Sequence, residues 1–239
     1  SQSIVMLYLV PRVLMGILAV VDTFLVYKIA DARYNRKVAF ISATLFAVMP
    51  ASGILRGIFL DSIALPLLLL SILFAIYYSK SSSRTGSNHI NHDDKKLRYF
   101  LILPSGIFLG LAIFTKLPVF ALIPLIIFIL LNKNIINSNN NNKRTKSLDI
   151  RVLGIWFIPV VLIPLIWPAY AISVGQFDSW IDGMIYQTAR DSEGKDLRSS
   201  FVLVYGLDPV LLTLAAAATI YGVIKRDYFI LLWVLPYLV

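Results

Sequence analysis

The chain contains no cysteine, which excludes disulfide frameworks, thiolate metal centres and cysteine nucleophiles. Charge is scarce too: Asp, Glu, Lys and Arg make up 15% of the residues, against about 25% in an ordinary soluble domain. No P-loop, dinucleotide-binding glycine pattern, Ser-His-Asp elbow or zinc-protease motif occurs. Histidine occurs twice, as His89 and His92, inside a polar stretch that reads as a disordered loop rather than a metal site. What fills the chain instead is apolar sequence, 58% of the residues, with a mean hydropathy of +0.78. Several runs reach the ~20 residues needed to cross a ~30 Å hydrocarbon core. The expected fold is therefore all-α, a polytopic transmembrane helix bundle.

Eight apolar segments can be read along the chain, near 4–29, 38–55, 61–78, 99–115, 117–131, 151–174, 207–224 and from 228 onward. A polar, basic stretch at 79–98 separates the third and fourth. An Asn-rich, low-complexity linker at 132–150 separates the fifth and sixth. Pro159, Pro164 and Pro168 all fall in the sixth segment, as membranes tolerate where neighbouring helices satisfy the freed carbonyls. Between 176 and 190, Phe177, Trp180, Ile181, Met184 and Ile185 follow the i, i+3, i+4, i+7, i+8 spacing of a one-faced helix. That pattern predicts an amphipathic helix lying on the outer face, with Trp180 at headgroup level. No internal repeat is visible. Ser1 stands where an initiator Met would, and the last residues stop inside an apolar run, so the expectation is an internal piece of a longer protein.

Charge orients the bundle. Of the 22 Lys and Arg, 16 lie in or beside the stretches at 28–37, 80–98, 133–151 and 225–226. All four stretches share one side if the first segment runs from outside to inside, and the positive-inside rule makes that side cytoplasmic. This also accounts for the formal net charge of +9 without a nucleic-acid partner. Arg12, Arg56, Lys116, Arg190, Lys195 and Arg198 are then left at or near the outer face, where few cations are expected.

Three of the outer-face charges interrupt apolar sequence. Ionisable groups at bilayer depth cost about 2.5–3.5 kcal/mol each on insertion scales, so they tend to be paired or functional. Arg56 and Asp61 lie in Ala51-Ser-Gly-Ile-Leu-Arg-Gly-Ile-Phe-Leu-Asp61, where a turn would bring them together. They serve either as a substrate pocket or as an interfacial salt bridge with a snorkelling Arg. Lys116 lies in Gly110-Leu-Ala-Ile-Phe-Thr-Lys-Leu-Pro118, which reads as a shaped turn. There it is a point charge for a phosphate or an ordinary headgroup anchor. Arg190, with Asp191 and Glu193, either faces a pocket or is a solvated loop charge. Asp22, within the first segment, points first to an interhelical hydrogen bond.

Several stretches together resemble a known group. They are Pro11-Arg-Val-Leu with the following long span and Tyr34-Asn-Arg-Lys-Val-Ala-Phe; Leu45-Phe-Ala-Val-Met-Pro50; Arg56 with Leu60-Asp61; and Gly110-Leu-Ala-Ile-Phe-Thr-Lys116. In order and spacing, over about 5–130, they are similar to the polytopic GT-C glycosyltransferases, in the branch of dolichyl-phosphate-mannose protein mannosyltransferases and bacterial aminoarabinose transferases. The resemblance implies a plasma-membrane enzyme that moves a mannose-like sugar from a polyprenyl-phosphate donor to a protein, lipid or glycan acceptor at the extracytoplasmic face. It implies that Arg56 and Lys116 contact the lipid phosphate and that Asp61 orients Arg56 or lines the acceptor cavity, with Arg190 a further candidate. The family's catalytic acid lies in the first outer loop, which would precede Ser1. The chain then reads as part of one GT-C transmembrane domain, lacking its first span, first outer loop and C-terminal part. No cofactor is implied, and a need for a divalent metal stays open.

Two other classes remain to be weighed. A secondary transporter also carries broken helices and intramembrane charges, but it usually shows repeat symmetry and a midplane site. A non-catalytic membrane assembly subunit would keep the same bundle, and only the upstream loop separates it from an enzyme.

Overall fold

The computed structural model describes residues 2–49, 60–84, 92–131, 150–192, 202, 205–206 and 208–234. Every regular element among them is helical, as expected where a bilayer leaves backbone N–H and C=O groups no water to bond. In chain order these are α1 (Gln2–Arg33), α2 (Arg36–Val48), α3 (Asp61–Arg84) and α4 (His92–Thr115). A 3-10 turn (Leu117–Leu122) leads into α5 (Ile123–Leu131). Then follow α6 (Ile150–Ser173), α7 (Phe177–Ser192), α8 (Pro209–Lys225) and α9 (Tyr228–Val234).

Three stretches are long and apolar enough to cross a membrane: Leu9–Arg33, Asp61–Ser81 and Arg151–Ser173. The chain is an integral membrane protein on that ground. The apolar parts of α4, α5 and α8 are shorter, and α2 has only 13 described residues. The polar stretch expected at 79–98 is largely helix, because α3 runs on to Arg84 and α4 starts at His92. Once a helix is nucleated, Ser and Lys extend it beyond the apolar zone at little cost. His89 and the Asn-rich linker lie outside the described residues.

α3 is the centre of the bundle: 67% of its spanning window is buried, against 17% in α1 and 22% in α6. It packs on α1, α4 and α5, while α4 packs on α6. Ile72, Ile102, Leu109, Leu125, Ile126 and Trp156 fill the space between these helices. A polar knot lies within that core. Ser71 Oγ donates to the Ser105 carbonyl at 2.7 Å and Ser105 Oγ returns a bond to the Ser71 carbonyl at 2.9 Å. Trp156 Nε1 donates to Ser105 Oγ at 3.3 Å, so one hydroxyl ties three helices. Ser105→Ala removes two of these bonds and strands the indole N–H, at about 1–2 kcal/mol. A melting curve in detergent should fall by several degrees, and an unchanged midpoint would show the knot to be incidental.

Turn chemistry sets the angles at the ends. α6 closes on Gly175 at φ 70°, with Gly175 N–H donating to Ile172 O at 3.1 Å and Gln176 N–H to Ala171 O at 2.9 Å. This is a Schellman cap, and glycine adopts its left-handed residue without Cβ strain. The turn after α8 has the same bonds, Arg226 N–H to Val223 O at 3.2 Å and Asp227 N–H to Gly222 O at 2.8 Å. There Arg226 holds the left-handed position, at φ 53°. Asp227 caps α9 through Phe229 N–H at 3.1 Å and pairs with Arg33 at 3.6 Å, fastening the end of α1 to the α8–α9 turn. Arg226→Gly should relieve the left-handed strain and stabilise the protein by about 0.5–1 kcal/mol. A lowered melting midpoint in this variant would mean that the Arg226 side chain itself supports the turn.

Candidate functional site

Asp61 opens α3. The Leu60 carbonyl accepts the N–H of Ile63 at 3.1 Å and of Ala64 at 2.9 Å, so Leu60 is the cap and Asp61 the first helical residue. An acid in this position complements the positive end of the helix dipole. Lys116 follows the last residue of α4, and its N–H still donates to Ala112 O at 2.9 Å. It sits at the negative end of its helix, where a cation is favoured. Pro118 cannot continue the α-helical ladder, and Lys116 turns to an extended conformation (φ −148°, ψ 108°) before the 3-10 turn.

Antiparallel packing of α3 and α4 brings these two ends together, and Lys116 Nζ forms a charge-assisted hydrogen bond with Asp61 Oδ1. The two side chains are 41% and 49% exposed. A pair this open is screened by solvent and contributes only about 0–1 kcal/mol to stability. The pair is therefore cheap to part, and an incoming anion can take over Lys116.

The sequence pattern pairs Asp61 with Arg56, five residues away; the structure gives it Lys116, 55 residues away. Arg56 lies outside the described residues. Arg190 falls on α7, but its side chain lies outside the described set. Gly110 and Thr115 do not shape the turn at Lys116 as expected. Thr115 Oγ1 donates to Leu111 O at 2.8 Å inside the helix, and Gly110 faces the backbone of α6. The break itself, at Lys116-Leu-Pro118, lies where the sequence places it.

The amphipathic pattern at 176–190 is indeed a helix, α7, joined to α6 by Gly175. Phe177 and Trp180 stack at 5.8 Å, while Asp178, Asp182, Ile185 and Tyr186 are exposed. Asp22 is buried at 1% exposure, as an interhelical bond would need, but its Oδ1 has no hydrogen-bond partner among the described residues.

A half-open acid–base pair therefore stands where two helix ends meet in an all-helical bundle. Residues 8–167 match the model of the dolichyl-phosphate-mannose-protein mannosyltransferase family, and the chain belongs to that family. It is thus a membrane glycosyltransferase of the GT-C type. No curated protein and no solved structure matches the chain.

Proposed function

We propose that the protein transfers a mannose-like sugar from a polyprenyl-phosphate donor to an acceptor at the extracytoplasmic face of the plasma membrane. In this reading the shorter apolar helices are further crossings, about eight in all, of one GT-C transmembrane domain. Lys116 and Arg56 hold the donor phosphate, Asp61 holds Lys116 until the donor arrives, and Arg190 lines the same mouth.

The observation that carries this reading is the Asp61–Lys116 pair. Two helix ends present opposite charges, half in solvent, beside a helix break. Transfer from a glycosyl phosphate needs a base on the acceptor hydroxyl and positive charge on the departing phosphate. Lys116, released from Asp61, supplies the second at the boundary where a lipid-borne phosphate sits.

The test is binding of a polyprenyl-phosphate-linked sugar to the intact protein. Lys116→Ala and Arg56→Ala should each weaken donor affinity at least tenfold. Unchanged affinity in both would reduce the two residues to membrane anchors.

A further inference from the structure

Between them α1 and α2 enclose an open apolar groove of about 660 Å³. Its walls include Gly16, Ala19, Thr23 and Phe24 from α1 and Ala43 and Ala47 from α2. The groove exists because these residues are mostly small: a Cβ added at Gly16 would meet nothing within 4 Å. The Thr23 hydroxyl donates to the Ala19 carbonyl at 2.9 Å, and Tyr27 adds a phenol ring to the wall.

One end of the groove is basic. Lys28 Nζ lies 5.3 Å from the centroid of Phe24, itself a groove wall. Arg36 is seven and eleven residues before Ala43 and Ala47, about two and three turns, so it falls on the same face of α2. Lys37 adjoins it, and both are exposed in a first helical turn that holds no acid. None of these three cations pairs with an acid among the described residues.

This end is far from the proposed active site. Arg33 at the base of α1 pairs with Asp227, and the neighbouring Tyr228 packs its ring on Phe128 with centroids 6.0 Å apart. From Lys116 to Phe128 the chain descends through the 3-10 turn and the start of α5, a drop of about 20 Å.

From an open apolar groove along a membrane span, flanked at one end by cations that pair with no acid among the described residues, we infer that α1 and α2 bind an anionic phospholipid of the surrounding leaflet. One acyl chain lies along Gly16, Ala19 and Ala43, and the headgroup phosphate lies between Lys28 and Arg36. Charge complementarity selects this occupant: a zwitterionic lipid gains less from these cations, and a helix filling the groove would leave them without an anion. Basic clusters of this kind beside a span bind acidic headgroups. The site takes no part in sugar transfer and does not depend on Asp61 or Lys116.

The experiment is native mass spectrometry of the intact protein in detergent, titrated with phosphatidylglycerol or phosphatidylcholine. The wild type should retain one phosphatidylglycerol at least tenfold more tightly than phosphatidylcholine. Lys28→Gln/Arg36→Gln should bring the two lipids to parity. Gly16→Leu, whose Cβ would meet nothing within 4 Å, should fill the groove and lose both. Three results overturn the inference: no lipid retained by the wild type, which would assign the groove to another helix; equal retention of the two lipids by the wild type; or full retention of phosphatidylglycerol by Gly16→Leu.

Discussion

Gly110→Val should lower stability by about 3 kcal/mol or prevent assembly altogether. The reason is backbone proximity. A Cβ at Gly110 would lie 2.6 Å from the Pro159 carbonyl oxygen and 3.0 Å from Ile163 Cδ1. One turn earlier, a Cβ at Gly106 would collide with the Trp156 carbonyl. Gly106 and Gly110 thus form a small-xxx-small seam that lets α4 and α6 approach closely, as membrane helices do when packing rather than hydrophobicity drives association. The closest atom in the way, the Pro159 carbonyl oxygen, belongs to the main chain, so rotating a side chain cannot relieve the clash and the helices must separate. Separation would also loosen the Trp156–Ser105 bond and the packing of Phe114 on Trp167, whose centroids are 5.9 Å apart. Lys116 lies six residues beyond Gly110, about 9 Å along the helix, and would shift with it.

The measurement is a thermal melt in detergent, followed by size-exclusion recovery. A loss of about 3 kcal/mol corresponds to a fall of about 6–12 °C for a chain of this length. Gly110→Ala should fall between wild type and Gly110→Val. Gly154, where an added Cβ meets nothing within 4 Å, provides the control, and Gly154→Ala should lose no stability. A Gly110→Val protein that melts with the wild type would disprove the close seam.

That seam marks where the sequence could and could not be read. The helical character of the segments was legible because a bilayer allows few other spanning structures. The three prolines of α6 were correctly read as part of one continuous helix, and the break at Lys116-Leu-Pro118 is where a missing N–H must place it. Glycine was harder. A Gly near Thr, Lys and Pro reads locally as a turn, whereas Gly110 is a contact with a helix some 50 residues away. Nothing local distinguishes the two roles. The Asp61–Lys116 pair was hidden for a related reason. Arg56 is the nearest cation in sequence, and short separations dominate any local reading. The signal that could have found the pair is topological: Asp61 begins one span and Lys116 ends the next, so an antiparallel hairpin must bring them to one level. Each charge also suits its own helix dipole, which accounts for their placement without a reference to substrate. The α1–α2 groove had no sequence signature, because small residues on two helices become a volume only once the crossing is known.

Removing each charge of the pair in turn separates a substrate role from an anchoring role. If Lys116 binds the donor phosphate, Lys116→Ala removes a charge-assisted hydrogen bond of about 1.5–3 kcal/mol, and donor affinity falls about 10- to 150-fold. It also leaves Asp61 facing the phosphate with no cation between them. Asp61→Asn acts in the opposite direction. It frees Lys116 from its counter-ion, so the donor no longer has to displace a carboxylate. Because the pair is exposed and worth no more than about 1 kcal/mol, the gain is at most about fivefold in affinity. The double variant should bind better than Lys116→Ala alone, since it removes the acid that repels the phosphate. Turnover need not follow binding: Asp61→Asn can bind donor more tightly and still work more slowly if the carboxylate orients a neighbouring cation. Added salt should weaken wild-type binding, because the site is open enough for ions to screen it. Fluorescence titration with a polyprenyl-phosphate sugar across the four proteins measures each of these constants. An anchoring pair predicts one donor affinity for all four, and opposite shifts in the two single variants are what only a phosphate site produces.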